Sequence, residues 1–526
     1  MIYLYLKNIL LIQFINITPD RQKHYIINHK KKQVYLYRIK TKIYLDCGKK
    51  ILYNMFIKAW RCDMSDKNNK KNGLLRHIGY GVGAVGLDLS YGMFYSYLNK
   101  YLTDVLKLSS SFLLILTPLA RIWDGINDPM MGTIVDNGKF KMGKYRPWIL
   151  IGSFLNAVIL GLLFNNIFGL SGAALYAYIA FMYVFWGMTN TLADIPYWSM
   201  VPSFTSDPKE RSIIATIART FSGLGQGIVQ IGAPILMGIV SITKDPQTGE
   251  AVYDARTFAV LSMICAIGLI LFSTISVSTV REKHRTQANE KFSFKKIFTV
   301  AKNNDQLLVF MLFAMLSNAG FYMISGVGAY YFDVVVGDSS KQSGFNTFGA
   351  VGSILGLAVI PIMMKFTTRR RTYQFSLSLA MAGYLGMLIC AKGADSITGM
   401  GICYLISQIG TASMFVSQTV FLADIVDYGE YKMGFRAESI TFSMKGFLQK
   451  MAYTLQTIIL YSGLSISHYD GELHSANPAG AHTSISIMML VLPMILMGLS
   501  LAVFTFKFKL NDKKMQEITE KLTANK

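Results

Sequence analysis

The sequence predicts an all-α membrane protein with twelve transmembrane helices in two six-helix halves. Only 16% of its 526 residues are charged and 52% are hydrophobic, whereas soluble domains carry roughly 25% charged residues. Apolar stretches recur from position 78 onward, and each is long enough to cross a bilayer as a helix. The sequence lacks the shorter alternating segments of a β-barrel, and its 13% aromatic content excludes disorder as the main state.

The apolar stretches define the order of the predicted elements. The predicted spans are 78–103, 110–135, 148–168, 172–202, 213–241, 256–280, 306–336, 343–364, 373–391, 397–426, 438–465 and 483–506. A long linker, 281–304, contains seven basic residues and divides the spans six and six. We therefore predict an N-terminal half at 64–280, a C-terminal half at 305–508 and a cytoplasmic tail at 509–526.

A short internal repeat supports the two halves. The tetrapeptide Leu-Ala-Asp-Ile occurs at 192–195, near the end of the fourth span, and at 422–425, near the end of the tenth. Two parallel halves that face a central cavity are the architecture of major facilitator carriers. The repeat therefore favours the major facilitator fold.

The formal net charge of +22 is unevenly distributed. Residues 1–63 carry 13 Lys and Arg against 3 Asp and Glu. Our hypothesis is that Met64 is the true start and that 1–63 is a non-native or disordered extension. A nucleic-acid-binding arm and an interfacial helix near 1–17 are the alternatives. Because the rest of the charge follows the membrane leaflets, we expect no nucleic-acid partner.

The loops follow the positive-inside rule, by which basic residues collect on the cytoplasmic side. One basic cluster lies at 139–146 and another at 369–371, both in loops of the same predicted side. This pattern predicts cytoplasmic N- and C-termini in a bacterial inner membrane, with the lipid bilayer as a partner.

Cysteine and histidine spacing predicts no metal site and no disulfide partner. The cysteines, none in a C-x-x-C motif, are Cys47, Cys62, Cys265, Cys390 and Cys403. His468, His474 and His482 lie in the loop before the last span without metal-ligand spacing, and we expect a solvated loop there.

The second span carries an unusual group of charges. Arg121, Asp124 and Asp128 are spaced by three and four residues, so a helix places them on one face. Ionisable groups within a membrane are costly and mark functional sites. Oxygen ligands from Asp124, Asp128 and Asn127 suit a hard cation such as Na⁺, and protonation of one carboxylate would serve equally well. The alternative is a structural salt-bridge cluster.

A second polar group lies in the fourth span, where Thr191, Asp194 and Trp198 share a face. A carboxylate beside an indole suits sugar binding, because the acid accepts hydroxyl hydrogen bonds while the ring packs on a pyranose. Asp88 and Arg219 are predicted to complete this site. The alternative for Trp198 alone is an interfacial anchor.

The eleventh span contains two lysines, Lys445 and Lys450. They are five residues apart and so lie on slightly different faces. We expect one of them to neutralise the acids of the second span and the other to extend toward an interface.

Three motifs together resemble the glycoside-pentoside-hexuronide:cation symporters, the melibiose carrier group of the major facilitator superfamily. They are RIWDGINDPMMGTIVDNGKFKMGKYRPWIL at 121–150, ADIPYWSMVP at 193–202 and DYGEYKMGFRAESI at 427–440. The resemblance covers 74–509. It implies a cation site at Asp124, Asp128, Asn127 and Thr191, and a sugar site at Asp88, Asp194, Trp198 and Arg219. It also places the family's eleventh-helix lysine, which lies close to the cation site, at Lys450. From their charge we expect Arg121 and Lys445 to be further coupling residues.

These observations lead to one function and two alternatives. We expect a carrier that imports a glycoside, pentoside or hexuronide with Na⁺ or H⁺ by alternating access, without a cofactor. An exporter of lipids or drugs would have a broad apolar cavity, which the four polar residues of the sugar site argue against. A membrane-embedded enzyme would need a metal cluster or an activated nucleophile, and the sequence shows neither.

Overall fold

A computed structural model describes residues 70–138, 140, 142–201, 208–280, 282, 300, 302–393, 397–434 and 438–524. The predicted extension 1–63 lies outside these residues, as does most of the predicted linker 281–304. The described residues are mainly helical, with one isolated bridge between Lys244 and Ala251. The predicted all-α class is confirmed.

Every predicted span falls on a helix of the described part of the chain. The helices of the first half are α1 (Lys70–Lys100), α2 (Ser110–Asn137), α3 (Arg146–Leu163), α4 (Gly172–Ser199), α5 (Pro208–Val240) and α6 (Ala255–Thr279). Those of the second half are α7 (Asp305–Val335), α8 (Lys341–Phe366), α9 (Arg369–Gly393), α10 (Ile397–Met433), α11 (Glu438–Ile466) and α12 (Ala479–Lys507). A further helix, α13 (Asp512–Ala524), follows.

Eight of the described helices are long and apolar enough to cross a membrane, judged by length and composition: α3 to α7, α9, α10 and α12. The other four predicted spans lie on α1, α2, α8 and α11. Of these, α1, α2 and α11 carry the charged residues of the candidate site. The predicted count of twelve spans is consistent with this arrangement.

The helices pack as two equivalent bundles. In the first half α1 packs on α5 and α6, α3 packs on α4 and α6, and α2 packs on α4. In the second half α7 packs on α11 and α12, and α10 packs on α8 and α9. Three helix pairs join the halves: α2 with α11, α5 with α8, and α1 with α7. In the first pair, the second helix of the first half packs on the fifth helix of the second half. In the second pair, the fifth helix of the first half packs on the second helix of the second half, as expected for two related halves.

The first helix of each half ends in the same way. α1 continues into a π-helical turn at Tyr101–Val105, and α7 ends in a π-helical turn at Tyr331–Val335. Each turn holds a buried aspartate, Asp104 in the first half and Asp333 in the second. Both turns lie at the end of the bundle that carries the loops 106–109, 241–254 and 467–478, which we call the predicted outer end.

Helix bounds differ from the predicted spans mainly at the end of the bundle opposite the predicted outer end. α1 begins at Lys70 and α10 continues to Met433, each several residues beyond its apolar span. Within the predicted tail, α13 is amphipathic and packs on α10, with Met515 and Ile518 buried. Hydropathy alone misses these polar extensions, because their stability depends on packing against neighbouring helices.

Close packing of α3 on α4 depends on Gly152. A Cβ atom at this position would lie 2.6 Å from the backbone nitrogen of Ala193. Because backbone atoms of a packed helix cannot move aside cheaply, we expect Gly152→Ala to lower stability by roughly 1–3 kcal/mol, measured as thermal unfolding in detergent. Gly161→Ala on the same helix is the control, since its Cβ meets only Met263 Sδ at 3.8 Å. Equal stability of the two variants would contradict this account.

Candidate functional site

The charged face of α2 forms as the sequence predicts. The Arg121 guanidinium donates to Asp124 Oδ2 at 2.6 Å, one helical turn away. Both residues are almost fully buried, at 2% and 4% exposure. α4 passes close to this pair, because a Cβ at Gly187 would lie 2.9 Å from Asp124 Oδ1.

Aromatic rings enclose the Arg121 guanidinium. The Tyr183 hydroxyl accepts a hydrogen bond from it at 3.0 Å. The guanidinium carbon lies within 6 Å of the ring centres of Phe94, Tyr95, Tyr183 and Tyr453. Such rings stabilise a cation that has lost its water, so Arg121 stays charged inside the bundle.

Asp128 connects the two halves of the protein. It accepts a hydrogen bond from Thr191 of α4 at 3.0 Å and from Lys450 of α11 at 2.5 Å. The Lys450 ammonium also lies 3.9 Å from Asp124. The structure therefore brings Arg121, Asp124, Asp128, Thr191 and Lys450 together, with two cations balancing two carboxylates.

Asn127 lies on the same helix between these acids. It is completely buried, and neither its side-chain nitrogen nor its oxygen has a hydrogen-bond partner among the described residues. An unsatisfied buried amide is costly. Asn127 thus holds a buried amide group that no described residue satisfies.

Lys445 does not join the acids of α2. Its ammonium donates to the Thr419 hydroxyl of α10 at 2.7 Å. Of the two lysines of α11, only Lys450 reaches Asp124 and Asp128. The five-residue separation places the two lysines on different faces.

The predicted sugar residues form a second group beside the first. The Trp198 indole nitrogen donates to Asp194 Oδ1 at 2.9 Å. The Arg219 guanidinium stacks on the Trp198 ring, with 4.0 Å between its central carbon and the ring centre. This arrangement presents a carboxylate, a guanidinium and an aromatic face from two adjacent helices, α4 and α5.

Asp88 of α1 lies at the edge of this group. Its Oδ1 accepts a hydrogen bond from Gln226 of α5 at 3.1 Å. The close approach of α1 and α5 requires Gly225, because a Cβ there would lie 2.6 Å from the carbonyl oxygen of Val85. Gln226 is a residue that the sequence analysis missed.

Helix α4 contributes to both groups. Its Thr191 contacts Asp128 of the first group, and its Asp194 contacts Trp198 of the second. Asp194 interacts electrostatically with Arg219 and also with Lys450 and Asp128. Asp194 and Trp198 are half-buried and Arg219 is exposed. The second group is therefore less buried than Arg121 and Asp124 of the first.

The predicted outer end, in contrast, is sealed by a third charged cluster that the sequence analysis missed. Lys100 donates to Asp104 and to Asp333, both at 2.6 Å, and the three side chains are at most 2% exposed. His474 Nδ1 lies 3.0 Å from Asp333. His474 is only 7% exposed, so the expectation of a solvated histidine loop is wrong at this residue.

That expectation was wrong because the burial of His474 depends on tertiary packing, which residue spacing does not show. The loop 467–478 folds back over the ends of α1 and α7 and carries His474 into the gap between the halves. Asp333 lies inside the seventh predicted span, and Lys100 precedes Asp104 by one helical turn. Asp333, an ionisable residue inside an apolar span, was the feature of the sequence that could have indicated this cluster.

Comparison with protein families gives one match across most of the chain. The family described as MFS/sugar transport protein matches residues 79–512. A lactose permease from Leuconostoc lactis is 27% identical over 484 residues, which cover 88% of this chain and 73% of the permease. An isoprimeverose transporter from Lactiplantibacillus pentosus is 25% identical, over 84% of this chain and 90% of that transporter. A raffinose carrier protein from Pediococcus pentosaceus is 27% identical, over 84% and 70% respectively.

Solved structures show the same fold. The xylose transporter XylE from E. coli, in an inward open conformation, has a TM-score of 0.59 at 10% identity, covering 85% of this chain and 99% of that one. The nucleoside transporter NupG has a TM-score of 0.57 at 12% identity, covering 82% and 100%. At such low identity these likenesses concern the fold alone, and they agree with the predicted major facilitator architecture.

Proposed function

The chain belongs to the MFS/sugar transport protein family, and on this premise we propose that it is a cation-coupled sugar importer. Within that family it belongs to the glycoside-pentoside-hexuronide symporters, whose motifs it carries. Its relatives are membrane transporters and not enzymes. The proposed substrate is a glycoside, pentoside or hexuronide, and the proposed coupling ion is Na⁺ or H⁺.

The observation that carries the proposal is the charge balance around Asp128. Arg121 and Lys450 together neutralise Asp124 and Asp128, so the group holds no excess charge. A coupling cation therefore enters only if Lys450 withdraws from Asp128. Arg121 remains paired with Asp124, and the vacated carboxylate, with the unsatisfied Asn127 amide, supplies oxygen ligands.

The withdrawal of Lys450 couples the cation to the sugar. Lys450 belongs to α11 of the second half, whereas Asp128 and Asp194 belong to the first half. A change in the position of Lys450 thus alters both the contact between the halves and the field at Asp194. By thermodynamic linkage, a cation that raises sugar affinity must itself be bound more tightly when sugar is present.

The sugar is proposed to bind between α4 and α5. The Trp198 ring offers an apolar face for a pyranose, while Asp194 and Arg219 provide a hydrogen-bond acceptor and donors for its hydroxyl groups. A hexuronide carboxylate would pair with Arg219. Asp88 would bind a further hydroxyl.

The proposal is tested by transport into liposomes that contain the purified protein. Radiolabelled lactose, an isoprimeverose-type disaccharide and a glucuronide are offered under an imposed Na⁺ gradient, an imposed H⁺ gradient or neither. We expect accumulation of at least one sugar above equilibrium under one gradient only. Failure of all three sugars to enter faster than into protein-free liposomes would overturn the sugar proposal.

Substitution of Trp198 tests the sugar site within the same assay. We expect Trp198→Phe to raise the KM for sugar about tenfold, because Asp194 loses the indole hydrogen bond that orients it, a contact worth roughly 1.5 kcal/mol. Trp148→Phe is the matched control, since Trp148 packs on Phe140 away from the site. An equal KM in the two variants would argue against the proposed sugar site.

The membrane arrangement follows from the charge distribution of the loops. We propose a bacterial inner membrane as the location, with both termini in the cytoplasm. The basic clusters at 139–146 and 369–371 then face inward. In this orientation the end that carries Lys100, Asp104 and Asp333 faces outward.

A further inference from the structure

The sealed cluster at the predicted outer end carries an unbalanced charge. Lys100 supplies one positive charge, and Asp104 and Asp333 supply two negative charges, all on side chains at most 2% exposed. With His474 neutral, the cluster holds one uncompensated negative charge inside the protein. Such a charge is strongly unfavourable away from water. One bound proton removes it.

The hydrogen bonds place a ring N–H of His474 against Asp333. His474 Nδ1 lies 3.0 Å from Asp333 Oδ2, an oxygen that also accepts from Lys100. Because that oxygen has no hydrogen of its own when ionised, the ring must donate through Nδ1. The other oxygen, Asp333 Oδ1, is buried without a partner among the described residues. A proton on His474 gives Asp333 a second positive neighbour.

The remaining groups around the cluster do not titrate near neutral pH. Tyr469 donates to Asp104 Oδ1 at 2.9 Å. Further tyrosines face the cluster from α7 and from the loop before α6: Tyr330 and Tyr253. Tyrosine ordinarily titrates near pH 10. Among the described residues around the cluster, the groups other than tyrosine that can hold the proton are therefore His474 and the two aspartates.

A second contact between the halves lies beside the cluster. Asp245 accepts hydrogen bonds from the backbone and hydroxyl of Ser475, the residue after His474. Burial raises the pKa of Asp245, but hydrogen bonds from Thr248 and Ser475 outweigh it and hold that pKa below its usual range. Asp245 thus anchors the loop 467–478 in its ionised form, and it is not the proton site.

We propose that Lys100, Asp104, Asp333 and His474 form an outer gate that binds one proton when it closes. The gate joins the two halves, because Lys100 and Asp104 belong to the first and Asp333 and His474 to the second. Opening separates the charges, lets water reach each of them and releases the proton to the outer solution. This proposal rests on the proposed alternating access, and it adds a proton site separate from the cation site on α2.

The sign of the pH effect follows from linkage. The closed gate binds one proton more than the open gate, so acid favours closure and this advantage is lost as pH rises through the titration of the closed state. For one proton, the ratio of closed to open molecules changes by up to about tenfold per pH unit. The outer end therefore closes at low pH and opens at high pH.

The test measures gate opening directly, without sugar and without transport. Spin labels are attached at Ile167→Cys and Lys341→Cys, exposed positions on the first and second halves near the predicted outer end. All native cysteines are first replaced by serine. The distance distribution of the purified protein is recorded from pH 5 to pH 8 by pulsed electron paramagnetic resonance.

We expect the short-distance, closed population of this labelled protein to fall as pH rises. His474→Gln keeps a hydrogen-bond donor but takes up no proton, so its distribution should favour the open form at every pH. Asp333→Asn removes one negative charge, so the gate should stay closed at every pH. His468→Gln, an exposed histidine of the same loop, is the control and should titrate like the parent.

The two variants shift the gate in opposite directions, which a merely structural cluster would not do. A parent distribution that does not change between pH 5 and 8 would overturn the proposal. So would a titration in Asp333→Asn equal to that of the parent, even if His474→Gln does not fold. Because no sugar is present, these results stand apart from the outcome of the uptake assay.

Discussion

Replacing Asp128 by asparagine is expected to abolish gradient-driven sugar accumulation. In the parent protein, withdrawal of Lys450 leaves Arg121 with two carboxylates, a net negative charge that attracts a cation. In Asp128→Asn the same withdrawal leaves a neutral pair. Loss of a partner charge in such a site costs roughly 3 kcal/mol, so we expect cation affinity to fall on the order of 100-fold.

The measurement compares accumulation with exchange. Uptake into liposomes is followed under an imposed cation gradient, and sugar exchange is followed at equal concentrations on both sides. Asp128→Asn should lose accumulation while exchange persists, because the sugar residues on α4 and α5 are unchanged. Asp470→Asn, in the exposed loop after α11, is the control for the same chemical change. Full accumulation by Asp128→Asn would exclude Asp128 from the cation site.

Replacing Lys100 by methionine is expected to give the largest loss of stability. The ammonium is completely buried and pairs with two carboxylates. Methionine fills similar space but removes the cation that the two carboxylates share. Removing one partner of a buried ion pair costs roughly 3–5 kcal/mol, so we expect a marked fall in the thermal unfolding temperature and in the yield of folded protein.

Two further variants test whether the loss of stability in Lys100→Met comes from the buried charges. Lys107→Met removes a lysine that pairs with Glu472, but both side chains are about 60% exposed. Such surface pairs contribute roughly 0–1 kcal/mol, so little change is expected. Adding Asp333→Asn to Lys100→Met should recover part of the lost stability, because one uncompensated charge disappears. A stable Lys100→Met protein would mean that the cluster is neutralised in another way.

Most of the fold and much of the site followed from the sequence. Hydropathy placed every span on a helix, because an apolar stretch in a bilayer must satisfy its backbone hydrogen bonds internally. The spacing of Arg121, Asp124 and Asp128 predicted one face of α2, because helical periodicity is local. The roles assigned to these residues and to the sugar group stay predictions until transport is measured.

The spacing of residues along the sequence does not predict which distant parts of the chain come into contact. Spacing alone left Lys445 and Lys450 as equal candidates to neutralise the acids of α2, and the family resemblance favoured Lys450. The packing of α11 on α2 places Lys450 against Asp128. The outer cluster was missed for the same reason, because its members lie on α1, on α7 and in the loop that contains His474.

The sequence by itself therefore determined the class of protein, the helices and the charged faces that each helix carries. The tertiary structure decided which charges meet across the two halves, and it decided that His474 is buried rather than solvated. The physical reason is the separation along the chain over which each interaction acts. Helix formation and membrane insertion depend on neighbours within a few turns, whereas ion pairs such as Lys450 with Asp128 join residues 322 positions apart and arise only when the halves pack.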